Sequence, residues 1–313
     1  MKGLELARAY YKEFGEPMLR ERFPELCPFL ATGLAGSGSE CLGFDDEVSR
    51  DHDFEPGFCI FLPGEDVVDR KAAFALERAY AKLPGEFMGV RRAKVSPVGG
   101  ARHGVMRTAD FMMDKTGTPD GNLSALQWLS LPDFALAEAV GGEIFDDRYG
   151  EITAIRKRLR RRPSDIRFKK LAGQLLMMAQ SGQYNYNRCL RHGETAAAQL
   201  AVTEFVKSTM AAVFLINDEY QPYYKWSFRA MRALPRLSLE AELLEYLLTT
   251  DNEEETRGEK YAVIESIAAD VAKELHEQGL VGTADPDLEK RAYEVNGRIA
   301  DPQIRNLHIL AGV

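Results

Sequence analysis

The pattern of apolar residues changes near Leu123, and this change constrains the fold more than any other feature of the sequence. Before it, short apolar runs at 28–35, 57–62 and 103–113 are bounded mainly by glycine or proline, which is typical of β-strands. Between the second and third runs, residues 65–83 have a helical apolar period and an acidic first turn. The first part of the chain is therefore predicted to mix strands and helices.

The remainder carries long segments with a helical period, and the sequence predicts no strand there. Leu171, Leu175 and Met178 fall on one helical stripe, which is the pattern of residues that face a hydrophobic core. The sequence thus predicts an α+β protein. A small mixed-sheet domain at 1–125 is followed by an all-helical bundle domain at 126–313, with the transition between residues 115 and 145.

Composition and charge exclude several classes of protein. The 313 residues carry a net charge of -8, which disfavours general binding of polyanions. No stretch approaches ~18 uninterrupted apolar residues, so we expect no membrane span. The four cysteines are Cys27, Cys41, Cys59 and Cys189. They are scattered without a CxxC pair, so a zinc site is disfavoured and a reduced, cytoplasmic protein is expected.

Residues 33–63 combine glycines, serines and carboxylates in a way that several ligand-binding loops share. A P-loop for phosphate requires lysine where Ser39 stands, and a dinucleotide-binding loop requires glycine where Cys41 stands. A calcium-binding EF-hand loop in this stretch requires glycine where Pro56 stands. These three motifs are therefore excluded.

The same stretch favours a metal site made by two aspartates. If Asp51 and Asp53 open the strand that the second apolar run continues, both carboxylates lie on one face, ~6.6–6.8 Å apart. Such a pair can share two divalent cations ~3.5–4 Å apart. A third carboxylate is expected from a neighbouring strand. Asp110 in the third apolar run is the best candidate, and Asp114 and Glu55 are weaker ones.

A phosphate-binding turn is predicted just upstream of the aspartates. Gly36 and Ser37 follow an apolar strand and can begin a helix, whose free N–H groups would bind phosphate oxygens. A phosphate-binding turn beside metal-binding aspartates is what metal-assisted phosphoryl or nucleotidyl transfer requires. The alternative interpretation of residues 43–56 is an acidic, solvated loop.

The spacing of Gly36-Ser37 and Asp51-His52-Asp53-Phe54 resembles the signature of the polymerase-beta-like nucleotidyltransferases. His52 departs from that signature, which has an apolar residue between the two acids. Several stretches are also similar to the bacterial domain-of-unknown-function family 4037, whose members are nucleotidyltransferase-like. They are GSECLGFDDEVSRDHDF, LQWLSLPDFAL, GGEIFDDRYGEIT, GQYNYNR and QPYYKWSFRAMRALP. The resemblance implies a small mixed sheet with a helical bundle behind it, the general plan of aminoglycoside nucleotidyltransferases.

The resemblance also implies an activity. The protein would be a Mg²⁺-dependent nucleotidyltransferase that transfers NMP from a nucleoside triphosphate, ATP by expectation, to a hydroxyl of an acceptor. Asp51, Asp53 and Asp110 would hold two Mg²⁺ ions, and Asp110 would help activate the acceptor hydroxyl. The acceptor stays open among a small molecule, an RNA end and a protein, and a homodimer is compatible with the sequence.

Several residues are predicted to hold the nucleotide. They are Gly36, Ser37, Ser39, Arg188, Tyr224 and Lys225. Lys225 would reach the triphosphate and Tyr224 the base, although a packed aromatic turn explains these two residues equally well. Arg188 would form a wall of the cleft.

Two other functions remain open, and one basic run has two interpretations. A non-catalytic nucleotide-binding or antitoxin-like partner protein would keep the same fold, and a metal-dependent phosphohydrolase would use the same aspartates. The basic run at 156–162 ends just before Pro163, which indicates a solvated helix end; contact with nucleic acid or triphosphate is the alternative.

Overall fold

The protein combines helices with a small sheet in a computed structural model that describes residues 1–48, 54–92 and 102–313. The mixed α+β class is confirmed. The strands are β1 (Ala31–Leu34), β2 (Cys59–Leu62), β3 (Glu86–Phe87), β4 (Val90–Arg91), β5 (Gly104–Arg107) and β6 (Glu143–Asp147).

The α-helices are α1 (Gly3–Tyr10), α2 (Glu16–Arg22), α3 (Ser39–Leu42), α4 (Arg70–Tyr80), α5 (Thr108–Thr116), α6 (Ala125–Ser130), α7 (Asp133–Val140), α8 (Glu151–Leu159), α9 (Ser164–Met178), α10 (Asn187–Arg191), α11 (Thr195–Ile216), α12 (Tyr224–Met231), α13 (Glu240–Thr249), α14 (Arg257–Glu277), α15 (Leu288–Gly297) and α16 (Pro302–Arg305). Two π-helical segments, Tyr11–Gly15 and Ala179–Tyr186, join α1 to α2 and α9 to α10.

The chain divides into two compact units. One comprises residues 1–123 and 134–161, and the other comprises residues 124–133 and 162–313. The sequence predicts that residues 134–161 follow the domain boundary, whereas they belong to the first unit. They do so because β6 pairs with β1 and so completes the sheet of that unit.

The first unit is built on a four-stranded sheet in the order β5-β2-β1-β6. Strand β1 is antiparallel to both β2 and β6, and β2 is parallel to β5. Gly33 pairs with Cys59, and Cys59 pairs with Gly104. The end of β1 and the beginnings of β2 and β5 therefore lie at the same end of the sheet.

Strand β6 corrects the expectation that no strand follows Leu123. Its residues Glu143–Asp147 pair with β1, from Ala31 opposite Asp147 to Leu34 opposite Glu143. Each residue of β6 is only partly buried. The sequence pattern missed this strand because three of its five residues are acidic and the apolar alternation is correspondingly weak.

Strand β5 is shorter than the sequence predicts. The predicted strand at 103–113 ends at Arg107, and α5 begins at Thr108. The buried residues of α5 explain this difference, because Thr108, Phe111, Met112 and Thr116 recur at helical spacing. The apolar run therefore contains a short strand followed by a helix.

Aromatic rings form much of the core against one side of the sheet. Phe58 has no exposed surface, and its ring centroid lies 5.1 Å from those of both Tyr11 and Tyr80. The backbone N–H of Phe58 donates to the Tyr80 hydroxyl at 3.0 Å. Burial raises the pKa of that hydroxyl. This cluster holds the chain just ahead of β2.

The second unit is helical, and its core follows the predicted stripe. Leu171, Leu175 and Met178 are fully buried, which confirms their prediction as core residues. Helix α11 is long and apolar enough to cross a membrane by these two criteria alone, but most of its apolar window is buried within the protein. That burial is the usual property of a central helix in a globular core.

Candidate functional site

A glycine-rich turn connects β1 to α3 at the position where the sequence predicts phosphate binding. Gly36 and Gly38 have φ angles of 113° and 128°, a region that glycine adopts at little cost. Ser37 lies between them, and Ser39 is the first residue of α3. The turn therefore places three of the predicted nucleotide-binding residues, Gly36, Ser37 and Ser39, within one short connection.

Arg102 is a functional candidate that the sequence analysis did not identify. Its Nη2 donates to Glu40 Oε1 at 2.8 Å and to the carbonyl oxygen of Ser37. Both side chains of this ion pair are largely buried, with 21% of Arg102 and 10% of Glu40 exposed. A guanidinium beside the turn can bind phosphate, although Glu40 competes for it. Only its place just before the third apolar run could have indicated it from the sequence.

Gly38 is confined by this ion pair, and its replacement should be costly. A Cβ at Gly38 would overlap Arg102 Nη2 and lie 2.5 Å from Glu40 Oε1. We expect Gly38→Ala to lower the free energy of unfolding by about 2–3 kcal/mol, chiefly because a φ of 128° with a ψ of 151° is a conformation essentially restricted to glycine. The overlapping atoms are ends of side chains that can move, so they add less. Gly43→Ala is the control, since Gly43 has the milder left-handed helical conformation, with a φ of 73° and open space around it. Chemical denaturation that gives equal losses for both variants would contradict the greater backbone strain at Gly38.

His103, the residue after Arg102, forms a second pair of titratable side chains with Glu55. His103 Nδ1 lies 3.0 Å from Glu55 Oε1, and these side chains are 8% and 18% exposed. A Cβ at Gly57 would lie 2.8 Å from His103 Nδ1, so glycine is required for this approach. Glu55, one of the weaker candidates for the third carboxylate, is therefore held by a histidine at the end of the sheet that carries the glycine turn.

Asp110 lies in a different setting from the predicted one. It occupies the first turn of α5 and is exposed, so the prediction that it lies on a strand is wrong. Helix α5 begins at the far end of β5 and packs back over the sheet. The ring of Phe111 lies 5.3 Å from that of Phe61, and its Cε2 would be 3.6 Å from a Cβ on Gly36. The residue after Asp110 thus contacts the glycine turn.

The predicted metal-binding aspartates lie outside the described residues. This applies to Asp51 and Asp53, and to His52 between them. The sequence predicts that the aspartates open a strand that continues through residues 57–62, whereas the observed β2 begins at Cys59 and does not include residues 54–58. Within the described ranges, no group of three or more His, Cys, Asp and Glu side chains is placed to hold a metal ion.

The remaining predicted nucleotide-binding residues belong to the second unit. Tyr224 and Lys225 begin α12, where Tyr224 is 75% exposed and its ring centroid lies 4.4 Å from that of Tyr223. Lys225 Nζ lies over the ring of Trp226, 5.3 Å from its centroid. Arg188 is exposed and donates to the Tyr184 hydroxyl at 3.2 Å. All three predicted side chains are accessible on that unit.

The basic run at 156–162 is only partly solvated, which corrects its interpretation as a solvated helix end. Arg156 is 4% exposed, and its Nη2 donates to the carbonyl oxygens of Val140, Gly141 and Gly142. These carbonyls lie at the end of α7, so Arg156 satisfies acceptors that the helix leaves free. Desolvation lowers the pKa of Arg156 to about 10.

Comparison with known proteins bears on the central part of the chain. Residues 128–227 match the model of a family described as Domain of unknown function (DUF4037). The match supports the resemblance to that family over this segment, which lies mostly within the second unit. No curated protein and no solved structure matches the chain significantly.

The DUF4037 segment contains a buried cluster of charges centred on Asp133. Arg162 Nη2 donates to Asp133 Oδ2 at 2.5 Å, and Lys170 Nζ donates to Asp133 Oδ1 at 3.2 Å and to the Leu131 carbonyl oxygen at 2.8 Å. The side chains of Arg162 and Lys170 are 2% and 7% exposed. The Arg162 guanidinium also lies over the ring of Tyr220, 4.6 Å from its centroid. One carboxylate therefore compensates two buried cations.

Proposed function

We propose that the protein is a Mg²⁺-dependent nucleotidyltransferase, which transfers NMP from a nucleoside triphosphate, with ATP as the expected donor, to a hydroxyl of an acceptor and releases pyrophosphate. The observation that carries the proposal is the Gly36-Ser37-Gly38 turn between β1 and α3, with the guanidinium of Arg102 against it. We further propose a cytoplasmic location and an acceptor that is a small molecule, an RNA end or a protein.

The order of the strands supports this proposal. The end of β1 and the beginnings of β2 and β5 lie at one end of the sheet. The glycine turn follows β1, the segment with Asp51 and Asp53 precedes β2, and Arg102 precedes β5. The turn for phosphate and the cation therefore come from two chain segments at the same end of the sheet, and the proposed carboxylates stand ahead of β2 in the sequence.

The chemistry assigned to each residue follows from its type. Backbone N–H groups of the turn and the Arg102 guanidinium would bind phosphate oxygens of the nucleotide. The carboxylates of Asp51 and Asp53 are oxygen ligands of the kind that Mg²⁺ prefers. When bound, Mg²⁺ supplies neutralisation of phosphate charge and a lowered pKa for the attacking hydroxyl.

Two residues compete for the role of the third carboxylate, Asp110 and Glu55. Asp110 follows the far end of β5, on a helix whose Phe111 packs back toward the glycine turn, and Glu55 precedes β2 at the same end of the sheet as the turn. Glu55 also has its carboxylate held by His103. Glu55 is therefore a stronger competitor of Asp110 for this role than the sequence indicates.

The experiment that tests the function uses labelled nucleotides. The full chain is incubated with ATP, CTP, GTP or UTP labelled at the α-phosphate, Mg²⁺ and cell extract, and the labelled product is identified. We expect label on an acceptor together with release of pyrophosphate, both abolished by EDTA. Steady nucleotide hydrolysis without an acceptor would instead identify a phosphohydrolase.

A non-catalytic nucleotide-binding or antitoxin-like protein is the second candidate. The position of Asp110 favours it, because this predicted third carboxylate is exposed in the first turn of α5 rather than on a strand, and metal-assisted transfer depends on that acid more than nucleotide binding does. Calorimetry that detects ATP binding, without pyrophosphate release across a broad panel of acceptors, would establish this alternative.

A further inference from the structure

A polar groove in the second unit lies between the beginning of α13 and the last turns of α14. It has a volume of about 390 Å³ and is lined by Glu240 and by four charged residues of α14. These are Asp270, Lys273, Glu274 and Glu277. The groove is part of a single unit, and the rest of its lining comes from the loop at 235–239 that leads into α13.

Glu240 is the feature of this groove that packing does not explain. Its side chain lines the groove, yet the residue is 6% exposed and its Oε2 has no hydrogen-bond partner in the described structure. A buried carboxylate without a partner is costly, and such groups commonly mark a bound water or ion. Burial and the charge of Asp270 raise the pKa of Glu240 to about 7.

The other charged groups of the groove make it acidic. Asp270, Glu274 and Glu277 follow one another at helical spacing, with ~6 Å of axial rise between the first two. Arg236 donates to Glu274, and Lys273 Nζ lies 4.0 Å from Glu277 Oε1. Among the residues that the structure describes, no ion pair compensates Glu240 or Asp270.

We propose that this groove binds an organic polycation, an alkyl polyamine of the spermidine class. One ammonium would pair with the Glu240 carboxylate, whose buried Oε2 would turn toward the groove to receive it, and a second would lie against the carboxylates of α14. A divalent metal ion is a poorer occupant, because no group of three or more ligand side chains among the described residues is placed to hold one. The groove lies apart from the glycine turn in the chain, and its occupancy does not depend on the proposed activity.

The test measures binding of spermidine to the full chain by isothermal titration calorimetry. We expect Glu240→Gln, which keeps the shape and removes the charge, to weaken binding at least about tenfold. Glu242→Gln is the matched control, since Glu242 lies on the same helix turn, is exposed and does not line the groove. It removes the same charge and should leave the affinity nearly unchanged.

Two further measurements separate a built site from general attraction of a polyamine to an acidic protein. Affinity for spermidine should rise between about pH 6 and pH 8, because Glu240 loses its proton in that range while the amine stays charged. Asp270→Asn should weaken binding in the same direction as Glu240→Gln. Equal affinities for Glu240→Gln and Glu242→Gln, or no detectable binding of spermidine by the native chain, would overturn the proposal.

Discussion

Replacement of Asp51 or Asp53 by asparagine is expected to lower Mg²⁺-dependent NMP transfer at least about a hundredfold while the protein remains folded. Asparagine keeps the size of the side chain but replaces a charged oxygen ligand with a neutral one, so the metal would lose the charge that holds it. The measurement is release of pyrophosphate with the acceptor that labelling identifies. Circular dichroism and thermal unfolding would report whether each variant is folded.

The matched control for these variants is Glu47→Gln. Glu47 is exposed in the same acidic stretch, so its replacement removes an equal charge without touching a proposed ligand. Full activity in either aspartate variant would refute the mechanism. Comparison of Glu55→Gln with Asp110→Asn then assigns the third carboxylate, because the variant with the greater loss removes the acid that takes part. The strand order favours Glu55 in this comparison.

Asp133→Asn is expected to lower the free energy of unfolding by about 3–5 kcal/mol. The variant would leave the buried cations Arg162 and Lys170 without a compensating charge. Breaking a buried ion pair from one side is costly, because the remaining charge stays in a medium of low polarity. Chemical denaturation of the full chain measures the change, with spectroscopic probes of the helical unit followed separately because unfolding of two units need not be concerted.

A longer ion pair with an exposed carboxylate provides the control for this variant. Asp218 lies 4.0 Å from Arg167 and is 51% exposed, so Asp218→Asn should change stability by less than about 1 kcal/mol. Lys170→Met combined with Asp133→Asn should recover part of the loss, since one of the two stranded cations is then absent. Similar losses for Asp133→Asn and Asp218→Asn would show that the buried cluster contributes little to the stability of the second unit.

Much of the helical structure could be predicted, because apolar residues at helical spacing indicate both a helix and the face that it buries. The stripe of Leu171, Leu175 and Met178 is buried as expected, since a helix with that pattern is stable when the stripe packs against other elements, which here are helices. Strand β6 could not be predicted, because its acidic residues lie at a sheet margin where the partner strand, and not the local pattern, decides the conformation.

The candidate site illustrates a second limit of sequence patterns. Gly36 and Ser37 were recognisable from local chemistry, and both lie in the turn after β1 as predicted. Arg102 and the His103–Glu55 pair were not, because their approach depends on the parallel pairing of β5 with β2. Residues far apart in the chain meet there through strand order, which no short motif records.

The π-helical segment Ala179–Tyr186 marks the place where the length of this helical rod can vary. A π-turn holds one residue more than an α-turn, and here it lies inside an otherwise continuous helical rod. Loss of one residue within it, such as the exposed Gln180, would restore regular α-helix and nearly keep the register beyond it, because the π-turn already absorbs the extra residue. The same loss inside α9 would rotate everything beyond it by about 100°, and Tyr186, whose hydroxyl donates to Asn252 at 3.1 Å, would then point elsewhere. A deletion is therefore expected to be tolerated in the π-helical segment and not in the regular helix before it.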